Sequence, residues 1–492
     1  MKKLILILTA LCITFAYSFA QIPTANMNTF IDNLDSSAVK RATAGEFSTD
    51  SDKLNAKDVF DLNRTIFSAG YVPGFNSSDS TAVQAFFGVP ILNNAMYFGV
   101  AGVYSMNETR VDYNPYSANA SQNGITLGKE VTTGSTFAIR PVFKINDMVS
   151  IHYLIARGNS KQVNEGYTSF IDDKNLSVIT NTTGNSQWVH EVAVGLVFGE
   201  MKLKIPVRLT INDAGNSYSK QYGLTKTDVA NQYSEETQTG STNTGNNTMN
   251  LSIAPEFSMP LAAGPMTGLN FGLTLGFDIY GMGQKSDYYY TYKYTPVNGT
   301  ATEEKRSVVT NQEGVFNMYA DVNAYPTLEW SLADNRVRLI MEPKVGLAIN
   351  VTNAGNVKVV EKTEVTDQTT LETTTTSGAK SSLVQIIPYI ELPIGTAFKP
   401  VDWFEFRAGV SYRLGFAMTT GSYEALTGGK YKTFNYNNGF ESTMNLYTGM
   451  GFIVGEDFFI DLYLAARAGN ATTTSPSLLG IDSWGAQLSY RL

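Results

Sequence analysis

The sequence has almost no cysteine or histidine. Its 492 residues include one Cys and two His, and zinc sites in proteins are built mainly from these two residue types. A zinc site of this kind is therefore excluded, and we expect no other metal and no cofactor. The lone Cys12 lies in an N-terminal segment that we expect to be removed, so the mature chain is predicted to contain no disulfide.

Charged residues are also scarce, and they are more often acidic than basic. They make up 16% of the chain, against about 25% in an average soluble protein. The formal net charge is −8 and the isoelectric point is near 5.1, which excludes a nucleic-acid binder because such proteins present basic surfaces. The 27 Tyr and 27 Phe residues exclude a disordered acidic chain.

Long apolar runs are missing except at the N-terminus. Two lysines precede an apolar run from Leu4 to Tyr17, which ends shortly before the small Ala20. This pattern predicts a signal peptide over residues 1–20, with cleavage before Gln21. The run is shorter than the roughly 20 residues that a spanning helix needs, and no later segment approaches about 18 continuous apolar residues. No membrane-spanning helix is therefore expected.

The main positive signal is a strict alternation of apolar and polar residues. Between Val315 and Trp330 the even-numbered positions are apolar or proline, and the odd-numbered positions include Asn, Asp, Thr and Glu. A period of two is that of a β-strand, whose side chains point alternately to two faces. The pattern predicts about sixteen strands, with fourteen to eighteen as the acceptable range. They lie near 62–72, 80–90, 94–106, 134–145, 148–157, 187–198, 201–212, 248–259, 268–280, 314–330, 336–351, 382–398, 402–418, 442–454, 457–467 and 481–492.

The connections between these strands alternate in length. Short turns are predicted at Asn146-Asp147, Gly199-Glu200, Ala333 to Asn335, Lys399-Pro400 and Gly455-Glu456. Between them lie long polar stretches, which we interpret as loops. Several loops of about 25 residues are uncommon in a soluble domain, whereas an outer-membrane barrel has short periplasmic turns and long extracellular loops. The long stretches are 107–133, 158–186, 213–247, 281–313, 352–381, 419–441 and 468–480.

The sequence therefore predicts an all-β fold, a single closed antiparallel transmembrane β-barrel over residues 62–492. A strand can cross hydrocarbon only in a closed cylinder, because every backbone N–H and C=O needs a partner there. The alternative is a secreted β-sandwich or adhesin, in which the apolar face forms a core between two sheets. Aromatic residues beside the short turns, such as Trp330 and Trp403, favour the barrel, whose rims carry aromatic girdles.

The last nine residues, from Trp484 to Leu492, resemble the C-terminal signature of bacterial outer-membrane proteins. Tyr490 matches the aromatic residue third from the end, whereas Leu492 stands where a terminal Phe is usual. The resemblance is to the class and does not identify a family. It implies location in the outer membrane, contact with its lipid, and recognition of the last strand by the barrel-assembly machinery.

The N-terminal stretch over residues 21–61 differs from the rest of the chain. It is polar, with scattered apolar residues whose spacing suggests a short helix near 28–41. A plug inside the barrel would be similar in layout to the long-chain fatty-acid transporters of the FadL type. A loose periplasmic tail is the alternative, and we favour it slightly because the early Asn-Pro-Ala element of that family has no match here.

The two histidines do not suggest an enzyme. His152 is predicted to face inward, and His190 precedes Glu191 near the outer end of a strand. A Ser-His dyad needs a serine within hydrogen-bond distance and a third group that orients the ring. The sequence places neither, so we expect His152 to be a solvated barrel residue and the protein to have no catalytic site.

The polar face of the strands carries charges that are predicted to line the pore. Cations outnumber acids on this face, and rings of charge can bias ion passage, so one hypothesis is a wide lumen with a mild preference for anions. The alternative, which we favour, is that the charges pair across strands and hold the wall. The predicted pore-lining residues are Arg140, Lys144, Lys202, Lys204, Arg208, Asp278, Asp321, Arg336, Arg338, Glu342, Lys344, Glu405, Arg407, Arg413 and Asp461.

A barrel of about sixteen strands is wide enough to leave an aqueous channel. We therefore expect a porin-like channel in the outer membrane for passive diffusion of small polar solutes. One alternative is a FadL-like transporter of hydrophobic substrates with an N-terminal hatch. Another is a surface adhesin or antigen displayed on a barrel. The sequence leaves the substrate and the oligomeric state open.

Overall fold

The structure is a computed structural model. The signal peptide expected over residues 1–20, the helix expected near 28–41 and the terminal Leu492 lie outside the described residues. The structure describes residues 54–72, 81–92, 94–113, 124–170, 175–213, 216–226, 233–244, 248–280, 284–295, 302–312, 316–355, 357–365, 371–377, 379–425, 432–455, 457–468 and 480–491.

The described chain consists of one short 3-10 helix, Val59–Asp61, followed by strand segments numbered in chain order. Many of the segments are long. They are β1 (Ile66–Val72), β2 (Thr81–Ile91), β3 (Met96–Tyr113), β4 (Gly124–Lys144), β5 (Val149–Phe170), β6 (Asn175–Phe198), β7 (Met201–Asp213), β8 (Asn216–Lys226), β9 (Tyr233–Thr244), β10 (Thr248–Ile253), β11 (Glu256–Ala263), β12 (Met266–Tyr280), β13 (Gln284–Thr295), β14 (Thr302–Gln312), β15 (Phe316–Leu332), β16 (Val337–Met341), β17 (Lys344–Ala354), β18 (Val357–Val365), β19 (Leu371–Ser377), β20 (Ala379–Val401), β21 (Phe404–Ala425), β22 (Lys432–Val454), β23 (Phe458–Ala468) and β24 (Gly480–Arg491).

These segments form a closed antiparallel barrel of sixteen spanning strands. Some spanning strands consist of segments that follow one another end to end. For example, β7 and β8 both pair with β6, and β16, β17 and β18 run along the strand that β14 and β15 form. The first segment pairs with the last, from Ile66 opposite Arg491 to Tyr71 opposite Ala486, which closes the cylinder. The predicted fold class and strand number are confirmed.

The outer surface of the barrel is apolar along the middle of the strands. Ile139, Val192 and Val207 are each at least 41% exposed, whereas the inward Ala138 and Arg140 beside them are at most 1% exposed. A cylinder with no free edge and an apolar exterior satisfies its backbone in hydrocarbon. The protein is therefore an outer-membrane β-barrel protein. Within the described ranges no helix has the length and apolar character needed to cross a membrane.

The long polar stretches from 107–133 to 419–441 are mostly strand where the structure describes them, so their prediction as loops was wrong. The stretch 468–480 lies outside the described residues except for its two end residues. For example, β5 runs for 22 residues to Phe170, well past the predicted end near 157. At about 3.3 Å per residue it is roughly 70 Å long, whereas about 9–11 residues of strand suffice to span the membrane. The outer halves of the strands thus project from the membrane. The sequence did not predict these parts as strand, because both faces of a projecting strand contact water and can be polar. The alternation of apolar and polar residues is then absent.

The short turns lie close to where the sequence placed them. Gly199-Glu200 and Ala333–Asn335 are turns, and the three residues from Ala333 to Asn335 have positive φ. The turn expected at Lys399-Pro400 lies later, at Asp402-Trp403, because β20 continues to Val401. Proline can occupy the end of a strand where its missing N–H leaves no ladder bond open.

A charge placed on the outer face near the bilayer centre is expected to destabilise the barrel. Val192 lies near the middle of the apolar band, whereas Phe198 is the last residue of β6, at the periplasmic rim. We expect Val192→Arg to lower the free energy of unfolding in lipid by about 2–4 kcal/mol, and Phe198→Arg by about 0–1 kcal/mol. Denaturant titration in lipid vesicles measures both. Equal losses at the two positions would contradict the assignment of this face to lipid.

Candidate functional site

The end of the N-terminal stretch lies inside the barrel. Leu54, Ala56 and Val59 are at most 1% exposed. The side chain of Asn55 starts a tight turn, because its Oδ1 accepts the backbone N–H groups of Lys57 and Asp58 at 2.8 and 3.0 Å. An Asn side chain commonly mimics a backbone turn in this way. We refer to Leu54–Asp61 as the lumen segment.

The wall of the barrel holds the peptide group of Ala56 from both sides. The backbone N–H of Ala56 donates to Nδ1 of His152 at 2.9 Å, and the hydroxyl of Ser150 donates to the carbonyl oxygen of Ala56. The inward Gly195 on the next strand makes room for this contact. A Cβ atom at Gly195 would lie 1.7 Å from the carbonyl oxygen of Ala56, so only glycine fits there.

His152 belongs to a buried chain of polar groups. Because Nδ1 accepts the Ala56 N–H, the ring proton of neutral His152 lies on Nε2, which donates to Oε1 of Glu191 at 2.8 Å. Arg208 donates to the other carboxylate oxygen of Glu191, also at 2.8 Å. The expectation that His152 is solvated was wrong, since it is fully buried.

This arrangement does not form a Ser-His dyad. The nitrogen that would take a proton from Ser150 is already occupied by the Ala56 N–H, and the Ser150 hydroxyl donates to a backbone carbonyl. A third group that orients the ring is present in Glu191. In the part of the chain that the structure describes, no cluster of His, Cys, Asp or Glu is suited to hold a metal ion.

Ion pairs attach the lumen segment farther along the wall. Lys57 Nζ lies 3.2 Å from Oε2 of Glu256 on β11, and Asp61 pairs with Lys202 on β7. Lys204 also lies 3.9 Å from Glu256. Together with the Ala56 contacts, these pairs fix the segment against the wall from β5 to β11.

The rest of the lumen segment packs on an apolar part of the inner wall. This is unusual, because the interior of a membrane barrel is generally polar. Leu54 lies directly over Gly99, where an added Cβ would come within 2.3 Å of its side chain. The cluster consists of Leu54, Val59, Leu62, Ile66, Phe86, Tyr97, Ala101, Val103, Ala138, Val142, Leu154, Ala156 and Val189, with Phe60 packed against it.

A cavity of about 560 Å³ lies beside the lumen segment at the periplasmic end of the barrel. Lys57 and Asp58 of the segment line one side. The opposite side is formed by both polar and apolar residues of β11, β12, β15 and β16, among them Asn270, Glu329 and Ile340, together with Glu342 directly after β16. The volume is in the range of small-molecule sites in proteins, which are about 300–1,000 Å³.

The predicted pore-lining cations on β4 to β7 face inward, and several form ion pairs. Lys144 contacts Asp147 at 2.8 Å, and Lys202, Lys204 and Arg208 form the pairs described above. Arg140 is buried, at 1% exposure.

The predicted charges on the opposite wall are also linked to neighbours. Arg407 is fully buried and contacts Glu405 at 2.8 Å and Asp461 at 2.6 Å. The guanidinium of Arg413 lies 4.0 Å above the ring of Tyr389, whose hydroxyl donates to Asp321 at 3.0 Å.

The remaining predicted residues lie along β12 to β17. Asp278 accepts a hydrogen bond from Asn317, and Glu342 accepts one from Thr327. Lys344 lies 3.7 Å from Glu391, and Arg338 lies 2.6 Å from Glu329. These contacts favour the structural role of the charges over an ion-selective ring.

Arg336 does not line the pore. It lies in the exposed turn after β15 and donates to the carbonyl oxygen of Pro400 at 3.0 Å. The alternation of the sequence continues through this turn, which is why Arg336 was placed on the inner face with Arg338.

Sequence reasoning missed the residues that hold the lumen segment. Gly195 and Ser150 are small residues on the inward face, and nothing in the local pattern marks Ser150. Their partner Ala56 is 94 residues away from Ser150 along the chain. Only the inward position of Gly195, in a strand where glycine is otherwise unfavourable, indicates a close approach of another backbone.

Comparison with known proteins identifies no family. No model of a known protein family matches the chain, and no curated protein sequence matches it. Solved structures to which the chain is similar include the toluene transporter TodX of Pseudomonas putida, at 10% identity and a TM-score of 0.32, covering 96% of this chain and 99% of that one. The toluene transporter TbuX of Ralstonia pickettii is similar at 10% identity and a TM-score of 0.33, with coverage of 94% and 99%.

The transport unit of the autotransporter AIDA-I from Escherichia coli is also similar, at 11% identity and a TM-score of 0.25, covering 70% of this chain and 89% of that one. The identities and TM-scores are too low to assign a family.

A methyl group at Gly195 is expected to displace the lumen segment, because the clash is with a backbone atom that no rotamer change can relieve. Overpacking of this kind costs about 1–3 kcal/mol, so we expect Gly195→Ala to raise thiol labelling of a buried Val59→Cys variant about tenfold. Gly276→Ala is the matched control, since its nearest atoms would be 3.8 Å away. Equal labelling rates in the two variants would contradict the contact.

Proposed function

We propose that this protein is a gated outer-membrane transporter for small hydrophobic molecules, in which the lumen segment closes the periplasmic part of the channel. The observation that carries the proposal is the Ala56 peptide held between Ser150 and His152 over Gly195. A backbone segment bound in this way occupies space that an open diffusion pore would leave to water.

The chemistry of the wall beneath the segment supports a hydrophobic substrate. Withdrawal of the segment uncovers apolar side chains such as Phe86, Val103, Leu154 and Val189, all facing the lumen. Burying apolar surface stabilises a complex by about 25 cal/mol per Å². An apolar solute bound at this wall would therefore replace the stabilisation that is lost when the segment leaves. A sugar would gain nothing there and would leave its hydroxyl groups without partners.

The cavity beside Lys57 and Asp58 offers a second environment at the periplasmic end, where charged and polar side chains are among those that line it. Passage of small polar solutes is therefore the alternative function. It requires the polar cavity to connect to the extracellular end past the lumen segment, whereas the transporter proposal requires the segment to move.

The experiment measures both solute classes on the same protein. The asymmetric outer membrane is a barrier to apolar dyes, so uptake of N-phenylnaphthylamine by intact cells reports hydrophobic transport, and swelling of proteoliposomes in a pentose reports polar diffusion. We expect the parent protein to speed dye uptake severalfold over cells without it, and Gly195→Ala to speed it further. Pentose permeation in the parent is expected to stay at the level of empty liposomes.

Leu154→Asp tests the apolar wall itself, because a carboxylate there faces the path of the solute. We expect dye uptake to fall to the background level, while Gly276→Ala retains the parent rate. Rapid pentose swelling with the parent protein, together with dye uptake equal to the background, would replace the transporter with an open polar pore.

A further inference from the structure

A group of aromatic and basic side chains lies on the outer face of the barrel at the extracellular edge of the apolar band. Phe137, Arg157 and Trp188 occupy one row across β4, β5 and β6. Tyr153 and His190 lie just below this row, toward the bilayer centre. Below them the outward positions of β5 are apolar, and above them they are Asn159 and Lys161.

The side chains of this group are in direct contact. The guanidinium of Arg157 lies 4.8 Å from the ring centre of Trp188, and the Trp188 ring stacks on that of His190 at 6.0 Å and 10°. Nδ1 of His190 is 2.7 Å from the hydroxyl oxygen of Tyr153. These contacts hold the flat groups against the barrel wall.

Arg157 is also oriented from above. Its Nε donates to Oδ1 of Asn159 at 3.1 Å, and this contact together with the Trp188 ring fixes the plane of the guanidinium. The two terminal nitrogens of a guanidinium held in this way remain available for a bidentate contact, the geometry in which arginine binds phosphate.

The charge environment of Arg157 differs from that of the inward cations. Inside the barrel, Lys144, Lys204, Lys344 and Arg407 each have a carboxylate oxygen within 3.9 Å. On the outer face, no carboxylate of a described residue forms an ion pair with Arg157, and the same holds for the exposed Lys161. Two cations that pair with no described carboxylate at the level of the lipid headgroups are complementary to an anionic headgroup.

We propose that Arg157 and Lys161, supported by Trp188, His190 and Tyr153, form a binding site for the phosphate of an anionic lipid headgroup in the outer leaflet. The aromatic rings cover the upper acyl chain and the two cations contact the phosphate. The site is on the outside of the barrel and is independent of the lumen and of what passes through it.

The test uses Trp188 as the reporter, in the full-length protein with Trp330, Trp403 and Trp484 changed to Phe. Reconstituted vesicles contain brominated phosphatidylglycerol or brominated phosphatidylcholine, and quenching of Trp188 gives the relative occupancy of the two lipids. One basic residue near a membrane surface contributes about 1 kcal/mol toward an anionic lipid, so we expect a preference for phosphatidylglycerol of about fivefold or more.

Arg157→Gln with Lys161→Gln is expected to reduce this preference to about one. Lys305→Gln with Lys362→Gln is the matched control: it removes the same charge from exposed lysines that pair with Glu303 and Glu364. The control is expected to keep the full preference. Because each variant is compared between two lipids, changes in its own fluorescence cancel.

Two milder variants keep the test decisive if the double variant does not fold. Arg157→Lys retains the charge and is expected to retain most of the preference, and Lys161→Gln alone removes an exposed side chain and is expected to reduce it. Equal quenching by the two lipids in the parent would overturn the proposal, as would an equal loss in the Lys305 and Lys362 control. Loss of the preference on adding inorganic phosphate at matched ionic strength would assign the site to a free anion and overturn the lipid assignment.

Discussion

Closure of the backbone hydrogen-bond network is the constraint on which the rest of this structure depends. In hydrocarbon an unpaired N–H or C=O is costly, and the pairing of Ile66–Val72 with Gly480–Arg491 removes the last free edge. Within the membrane, each side chain of a strand in the closed cylinder points either to the lipid or to the lumen. Apolar side chains on one face and charges on the other follow from that choice.

The inner face carries a different free-energy cost, because charges within the barrel are partly removed from water. The two opposite parts of the inner wall differ in how this cost is limited. On one side opposite charges neutralise one another across strands, as with Arg407 between Glu405 and Asp461. On the other side part of the wall is apolar, and the segment from Leu54 to Asp61 packs against it. The buried His152 joins the two kinds of surface, because one ring nitrogen contacts the segment and the other contacts Glu191.

The residue types on the outer face change with depth in the membrane. Near the bilayer centre, residues such as Val192 and Val207 are exposed on the outer face, and exposed charge is absent among the described side chains around them. At the extracellular edge β6 carries Trp188 and the adjacent β5 carries Arg157, because the headgroup region accepts rings with a polar edge and cations. Beyond that edge the strands continue into water as a polar extension held by ion pairs such as Arg306 with Glu361.

The sequence by itself determined the fold class, the number of spanning strands and the face to which residues of the membrane-spanning parts of the strands point. It could do so because alternation is a local property: Ile139 and Arg140 are adjacent, and their opposite exposure follows from the pleat of one strand. Only the tertiary structure decided where the strands end and what the lumen contains. The projecting halves, such as the end of β5 at Phe170, have no apolar face to mark them. The position of the lumen segment depends on contacts such as that of Ala56 with His152, which lie 96 residues apart in the sequence. A local pattern carries no information about which distant residues the closed barrel brings together.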